Sequence, residues 1–367
     1  MSKLNVIRID ETTEPLWEQL AKTSAQGGEF LYSENLRTMA AHETPRAKLV
    51  RLAVPDPDGE GLLAGWALLV RRRLGIRYSS NFPLFYSGPM LAPPLDREGD
   101  RKFHSKRLDV LNVLSRAVKA EIDACQCELP PGFPDIRGCV YGGFTVLRTA
   151  CHVWELSSED SCWLRLNRTK RNEANRIKRE GYTFGWMPMT EPSIAAFDQL
   201  HANTLSKLSW QAPEAWCDAL AAHTFEMGKA GICHLFGAFA AGETEHPEAV
   251  VSILFNSVRK TAYLWRMGTS SGKPGLVPAL YASAGDAIRA ETGPDWSINF
   301  GGSPLIALSR FKDYLGAAPT FHCQLKWHRP GWAWALWVLG YGAKARYERY
   351  RHRLLRSLRQ PSAGGEF

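Results

Sequence analysis

The sequence predicts an α+β fold laid out twice along one chain. Three observations predict it. Short apolar runs of β character alternate with stretches whose apolar residues recur at helical spacing. The chain has 367 residues, more than one ordinary domain needs. The order of runs and helices suggests two diverged copies of one plan, although no short-period repeat is visible. The expected units are 1–156, 157–330 opened by a basic helix, and an aromatic and basic tail at 331–367.

In the first part, 48–54 and 62–72 read as strands, separated by the turn-rich Pro55-Asp-Pro-Asp-Gly59. Residues 77–85 extend that sheet towards Tyr86-Ser-Gly-Pro-Met90. Val110, Leu111, Leu114, Ala117, Val118 and Ile122 place a helix over 109–124. A Pro/Gly turn at 130–134 leads to strand-like pieces over 140–156. Residues 158–181 read as one helical stretch. Helices at 192–208 and 213–229 follow, then strands at 231–239, 249–258 and 260–269. A helix at 276–291, a strand at 296–300, a helix at 305–314 and a strand at 320–327 complete the second part.

Composition sets the class. Hydrophobic residues make up 45% and charged residues 22%, as in a packed globular protein. The net charge of +8 favours anionic partners: RNA, nucleotides, phospholipid or a phosphorylated carrier. Eight cysteines are scattered without metal-ligand spacing, which fits reduced thiols in a cytoplasm and no metal. Residues 1–11 lack an apolar signal core. The apolar core of the tail, Trp332 to Leu339, is shorter than the ~20 residues a bilayer span needs. No His-Glu-x-x-His helix occurs.

The most informative segment is Ser297-Ile-Asn-Phe-Gly-Gly-Ser303, followed by Ser309-Arg-Phe-Lys-Asp-Tyr-Leu-Gly316. A buried strand ends in two glycines, where the backbone can turn sharply. Ser303 and Pro304 suit a helix start, and the helix presents Arg310 and Lys312. A small-residue bend with cations nearby suits an anionic or polar ligand, with Asn299, Gly301, Gly302 and Ser303 lining it.

This segment resembles the last conserved block of the Fem-type transferases, which are tandem-GNAT N-acyltransferases. Four more blocks fall in that family's order, and the likeness spans about 82–326. Tyr263-Leu-Trp-Arg-Met-Gly-Thr269 resembles its Tyr/Trp-rich strand. In a regular strand Trp265 and Arg266 would point to opposite faces. Ser270-Ser-Gly-Lys-Pro-Gly275 fills the loop that lies at the donor cleft of a GNAT fold, with Ser270, Lys273 and Gly275 as donor contacts. It lacks the Walker spacing and the Gln/Arg-x-x-Gly-x-Gly/Ala pattern of acetyl-CoA users. Thr169 to Gly181 is similar to the family's basic central block, with Arg171, Asn175 and Arg176 as the matched positions. Asn203 to Pro213, including Trp210, resembles a substrate-facing loop, and Phe82 to Pro89 the Gly-Pro block.

The resemblance implies two GNAT-like domains, each a twisted, mostly antiparallel sheet flanked by helices. It also implies an N-acyltransferase that joins an aminoacyl group from aminoacyl-tRNA to an amine, on a cell-wall precursor or small metabolite. The donor is a co-substrate, and no cofactor is expected. Acyl-CoA or a carrier thioester is the alternative donor, and a non-catalytic protein that binds an anionic ligand is the alternative class. Lys312 is the first candidate for neutralising phosphate or oxyanion. Asp286 and Asp313 are candidate bases on position alone. The mixed segment 332–358 reads as a helix that docks on the core, contacts RNA, or rests peripherally on the inner face of the membrane.

Overall fold

The computed structural model describes residues 4–43, 47–73, 75–79, 86–96, 101–156, 161–207, 214–270, 272–302 and 306–331. Residues 332–367 of the expected tail, the first half of the Phe82 to Pro89 block, Trp210 and Ser303 lie outside them.

The first part runs β1 (Ile7–Arg8), α1 (Glu14–Thr23), α2 (Ser33–His42), β2 (Lys48–Pro55), β3 (Leu62–Arg73), β4 (Ile76–Ser79), β5 (Met90–Leu91), α3 (Pro93–Asp96), α4 (Arg101–Glu121), β6 (Ala124–Glu128), α5 (Arg137–Tyr141) and β7 (Thr145–Glu155). The second runs α6 (Cys162–Arg165), α7 (Arg168–Arg179), β8 (Thr183–Met187), α8 (Glu191–Lys207), α9 (Glu214–Lys229), β9 (Cys233–Phe239), β10 (Ala249–Asn256), β11 (Thr261–Thr269), α10 (Leu276–Thr292), β12 (Ser297–Gly302), α11 (Ile306–Tyr314) and β13 (Ala318–His328).

Two differences from expectation have local causes. The single helix expected over 158–181 is broken between α6 and α7. Asn167 leaves helical geometry there and its side chain accepts the Lys170 N–H at 2.8 Å, so the sequence starts a new helix. The strand pieces expected over 140–156 resolve into the end of α5 and one continuous strand, β7, supported on both sides.

That support comes from an exchange. Among the described residues the strands form one sheet in the order β1-β2-β3-β4-β6-β13-β7-β12-β11-β10-β9-β8, with β5 on β3. Two pairs are parallel, β4 with β6 and β11 with β12; the other described pairs are antiparallel. Each parallel pair is joined through a long helix, α4 or α10, because parallel neighbours need a crossover. After each crossover strand come a short helix and a long last strand. Those last strands trade places: β7 pairs with β12, β13 pairs with β6, and the two pair with each other from Ala318↔Val153 to Lys326↔Thr145.

Packing follows the exchange. Trp154 of β7 sits in the core built on α7, α10 and β9 to β12. Leu325 of β13 sits in the core built on β2, β3, α4 and β6. A third core joins Trp17, Leu36 and Met39 to Met227, Ile232 and Tyr263 across the two parts. Among the described residues no helix is long and apolar enough to cross a membrane.

Trp154 is 1% exposed, packs edge-on against Phe300 at 4.7 Å, and donates Nε1–H to the Leu315 carbonyl at 3.2 Å. Truncation loses that burial and leaves a cavity. Trp154→Ala should therefore cost about 3–5 kcal/mol in urea unfolding; a loss below about 1 kcal/mol would contradict the packing.

Candidate active site

The parallel strands β11 and β12 stay together only briefly. They pair at Thr261↔Ser297, Ala262↔Ile298 and Tyr263↔Asn299. Beyond Tyr263, β11 follows β10 to Thr269 while β12 turns away, and the strands part. On its other side β12 bulges: Asn299 pairs with Val153 and Gly302 with Cys151, so Phe300 and Gly301 face His152 alone. Gly301 has φ +69°, a left-handed backbone that favours glycine. The Asn299 Oδ1 accepts the Gly301 N–H at 2.7 Å and fixes the bend. Lys312 of α11 reaches into the bulge, and its Nζ donates to the carbonyls of Gly301 at 2.9 Å and Gly302 at 2.7 Å. Burial brings its pKa down to about 8, partly opposed by Cys151.

A polar cluster surrounds the bend. Asn299 Nδ2 donates to the Tyr86 hydroxyl at 3.0 Å and points to Cys151 Sγ at 3.6 Å. The Tyr86 ring stands edge-on to Tyr263 at 5.9 Å and His322 at 5.6 Å. His322 Nε2 lies 3.1 Å from the Glu128 carboxylate. Burial pulls His322 down, but contact with Cys151 and Glu128 prevails and raises its pKa to about 9. On the opposite face, His152 lies 3.4 Å from Asp313 and 3.5 Å from Ser309, both on α11. Burial, then the Lys312 charge, lowers its pKa. Tyr86 and Tyr263 also wall a hollow with Gln26, Phe30, Asn256 and Arg259.

No protein-family model and no curated protein sequence matches the chain. Solved structures do. FemX matches with a TM-score of 0.64 at 12% identity, over 88% of this chain and 97% of that one. The chain has a Fem-like tandem GNAT fold. L-PGS from Bacillus licheniformis matches at 0.53 and 13%, over 90% and 96%. A tandem GNAT protein from the clavulanic acid biosynthesis pathway matches at 0.53 and 12%, over 90% and 100%.

Within the tandem GNAT frame the loop after β11 is closely held. Lys273 Nζ pairs with Glu180 at 2.8 Å and donates to the Tyr182 hydroxyl at 3.0 Å, and both contacts raise its pKa. Gly275, at φ +91°, packs so closely under α7 that a Cβ there would overlap the Glu173 carbonyl. Ser270 donates its N–H to the Glu248 carbonyl at 2.9 Å and is close to Lys207. Arg176 reaches the Pro274 carbonyl at 3.4 Å and Glu180 at 3.6 Å, so α7 and this loop form one group. Asn175 is exposed, and Arg171 reaches the Leu164 carbonyl at 3.3 Å.

Other expected residues sit elsewhere. Trp265 and Arg266 do not alternate across the sheet, because β11 bulges at Trp265: Leu264 pairs with Ile253 and Arg266 with Ser252. The Arg266 guanidinium lies 5.0 Å from the Trp265 ring and 4.6 Å from Phe197, and pairs with Asp198 at 3.1 Å. Asp286, a candidate base by position, instead anchors the start of α6: it accepts from Ser161 Oγ at 2.6 Å and the Cys162 N–H at 2.7 Å. Asn299, Gly301, Gly302 and Lys312 do come together. Sequence reasoning missed Tyr86, Glu128, Cys151, His152 and His322, which gather from distant strands without a shared motif.

The folded pKa of His322 is raised above its unfolded value of 6.5. Its stabilising contribution is therefore complete below pH 6.5 and is lost as pH rises through about 9. In urea unfolding, the parent should lose about 2–3 kcal/mol over that window relative to His322→Gln. Parallel pH profiles for the two proteins would contradict the charged pair.

Proposed function

We propose that this chain is an N-acyltransferase that makes an amide bond from an activated acyl donor and an amine. The parting of β11 and β12 at Asn299, with Lys312 seated in the adjoining bulge, carries the reading. A gap between parallel strands admits an extended acyl group edge-on to backbone. Lys312 places an ammonium beside it, where charge on the carbonyl oxygen develops during attack. Its lowered pKa keeps that cation near its titration point. The amine needs only alignment and loss of a proton, since the donor is already activated.

Aminoacyl-tRNA is the donor the arrangement favours. The chain lacks the acetyl-CoA loop pattern. The first turn of α10, where a pyrophosphate would be cradled, is packed against α7, and Lys273 is engaged by Glu180 and Tyr182. The net charge of +8 and the exposed Arg168, Arg176, Lys178 and Arg179 of α7 offer contacts to a polyanion. The acceptor is an amine on a cell-wall precursor, lipid headgroup or small metabolite.

The test is turnover with total charged tRNA and, separately, acetyl-CoA, each with a pool of amines and at two salt concentrations. Salt-sensitive use of charged tRNA is expected; use of acetyl-CoA alone would reassign the donor, and no turnover with either would defeat the reading. Lys312→Ala should fold normally and lose about 100-fold in transfer rate, on the scale of one removed oxyanion donor. In the parent, rate that depends on the Lys312 cation should fall as pH rises through about 8. A folded Lys312→Ala protein with the parent rate would remove the assigned role.

A further inference from the structure

The cluster beside the bend holds chemistry that oxyanion neutralisation does not use. Cys151 pairs in register with Gly302 of β12 on one side and Thr320 of β13 on the other. His322 pairs with Thr149, so the thiol and the imidazole lie diagonally across the β7–β13 ladder on one face. Glu128 on β6 faces His322 Nε2 at 3.1 Å, and its other oxygen accepts from Gln324 at 3.1 Å. A carboxylate at Nε2 selects the tautomer with the proton there and leaves Nδ1 as the acceptor. That Nδ1 is buried and makes no hydrogen bond of ordinary geometry. His152 and His223 also carry buried ring nitrogens without a hydrogen bond, so what marks the His322 Nδ1 is its place beside the Cys151 thiol. Asn299 Nδ2 points at the Cys151 sulfur from 3.6 Å, and Lys312 holds the carbonyl of Gly302, the residue paired with Cys151.

A thiol, an imidazole beside it, a carboxylate orienting the imidazole and an amide N–H donor at the sulfur are the parts of an activated nucleophile. We infer that Cys151 accepts the acyl group as a thioester, with His322 as its base and Glu128 as the positioning residue. The inference rests on the acyl-transfer reading and specifies its route. The Cys151 S–H, which donates to the Thr320 carbonyl at 3.5 Å, turns to His322 Nδ1, which takes the proton as sulfur bonds to the donor's carbonyl carbon. The bond to the tRNA ribose oxygen, or to the CoA sulfur, breaks, and the leaving atom takes the proton from His322. The amine nitrogen then attacks the thioester, the C–S bond breaks as the C–N bond forms, and the amine proton returns through His322 to sulfur. Cys151 itself is shielded from solvent. Tyr86 lines the hollow on one side and meets Asn299 and His322 on the other, so displacement of its ring is the route to the sulfur.

The experiment uses the full chain with total tRNA charged with radiolabelled amino acids and, in parallel, labelled acetyl-CoA. Reactions without amine are quenched in acid, and hydroxylamine-labile label on protein is counted and mapped to its peptide. A second set receives amines and is assayed for amide. The expected result is label on the Cys151 peptide that chases into amide as fast as turnover. Cys151→Ala should lose the label and at least about 100-fold of amide formation. His322→Gln should slow labelling at least about tenfold and shift its pH profile, and it serves where Cys151→Ala does not fold. Amide formed at near-parent rate by folded Cys151→Ala, or label that chases more slowly than turnover, overturns the thioester and leaves acyl transfer standing. Neither label nor amide from either donor overturns both.

Discussion

The exchange of β7 and β13 is the constraint on which the rest of the structure depends. Each last strand completes its partner's sheet and fills its partner's core, with Trp154 in one and Leu325 in the other. The cost is entropic, since β13 meets β6 and β7 across a large sequence separation, and folding must close those loops before the contacts form. The return is a seam with no exposed strand edge at the centre of the sheet.

The same exchange creates the candidate site. β12 diverges from β11 and bulges against β7, so the sheet is open where four chemistries meet: the Asn299 amide, the Lys312 ammonium, the Cys151 thiol and the His322–Glu128 pair. Polar groups this deep cost stability unless they are paired. Most are, with Lys312 on two carbonyls and Asn299 on Gly301 and Tyr86. His322 Nδ1 and, on the opposite face, His152 Nδ1 make no hydrogen bond of ordinary geometry.

Local chemistry made part of this legible. The Gly301-Gly302 bend was readable because glycine freedom acts over a few positions, and Lys312 because it follows that bend closely in the sequence. The crossover helix α10 and its flanking strands were readable from periodicity. Lys273, expected as a donor contact, is engaged by Glu180 and Tyr182, which lie far from it along the chain. Trp265 and Arg266 were misjudged because alternation assumes an unbroken ladder, and a one-residue bulge leaves no mark in the sequence. The Cys151, His322 and Glu128 cluster was invisible for a deeper reason. Strand exchange brings it together, and which strands trade partners is decided by tertiary pairing, not by any pattern along the chain.

Native-state hydrogen exchange on the full chain tests the exchange most directly. If the swapped strands bind the two parts into one unit, the amides of β6, β7, β12 and β13 should share one opening free energy, equal to that of global unfolding. If β6 and β12 instead open separately, at clearly different free energies with β7 following one and β13 the other, the two parts fold independently and the account of the seam is wrong.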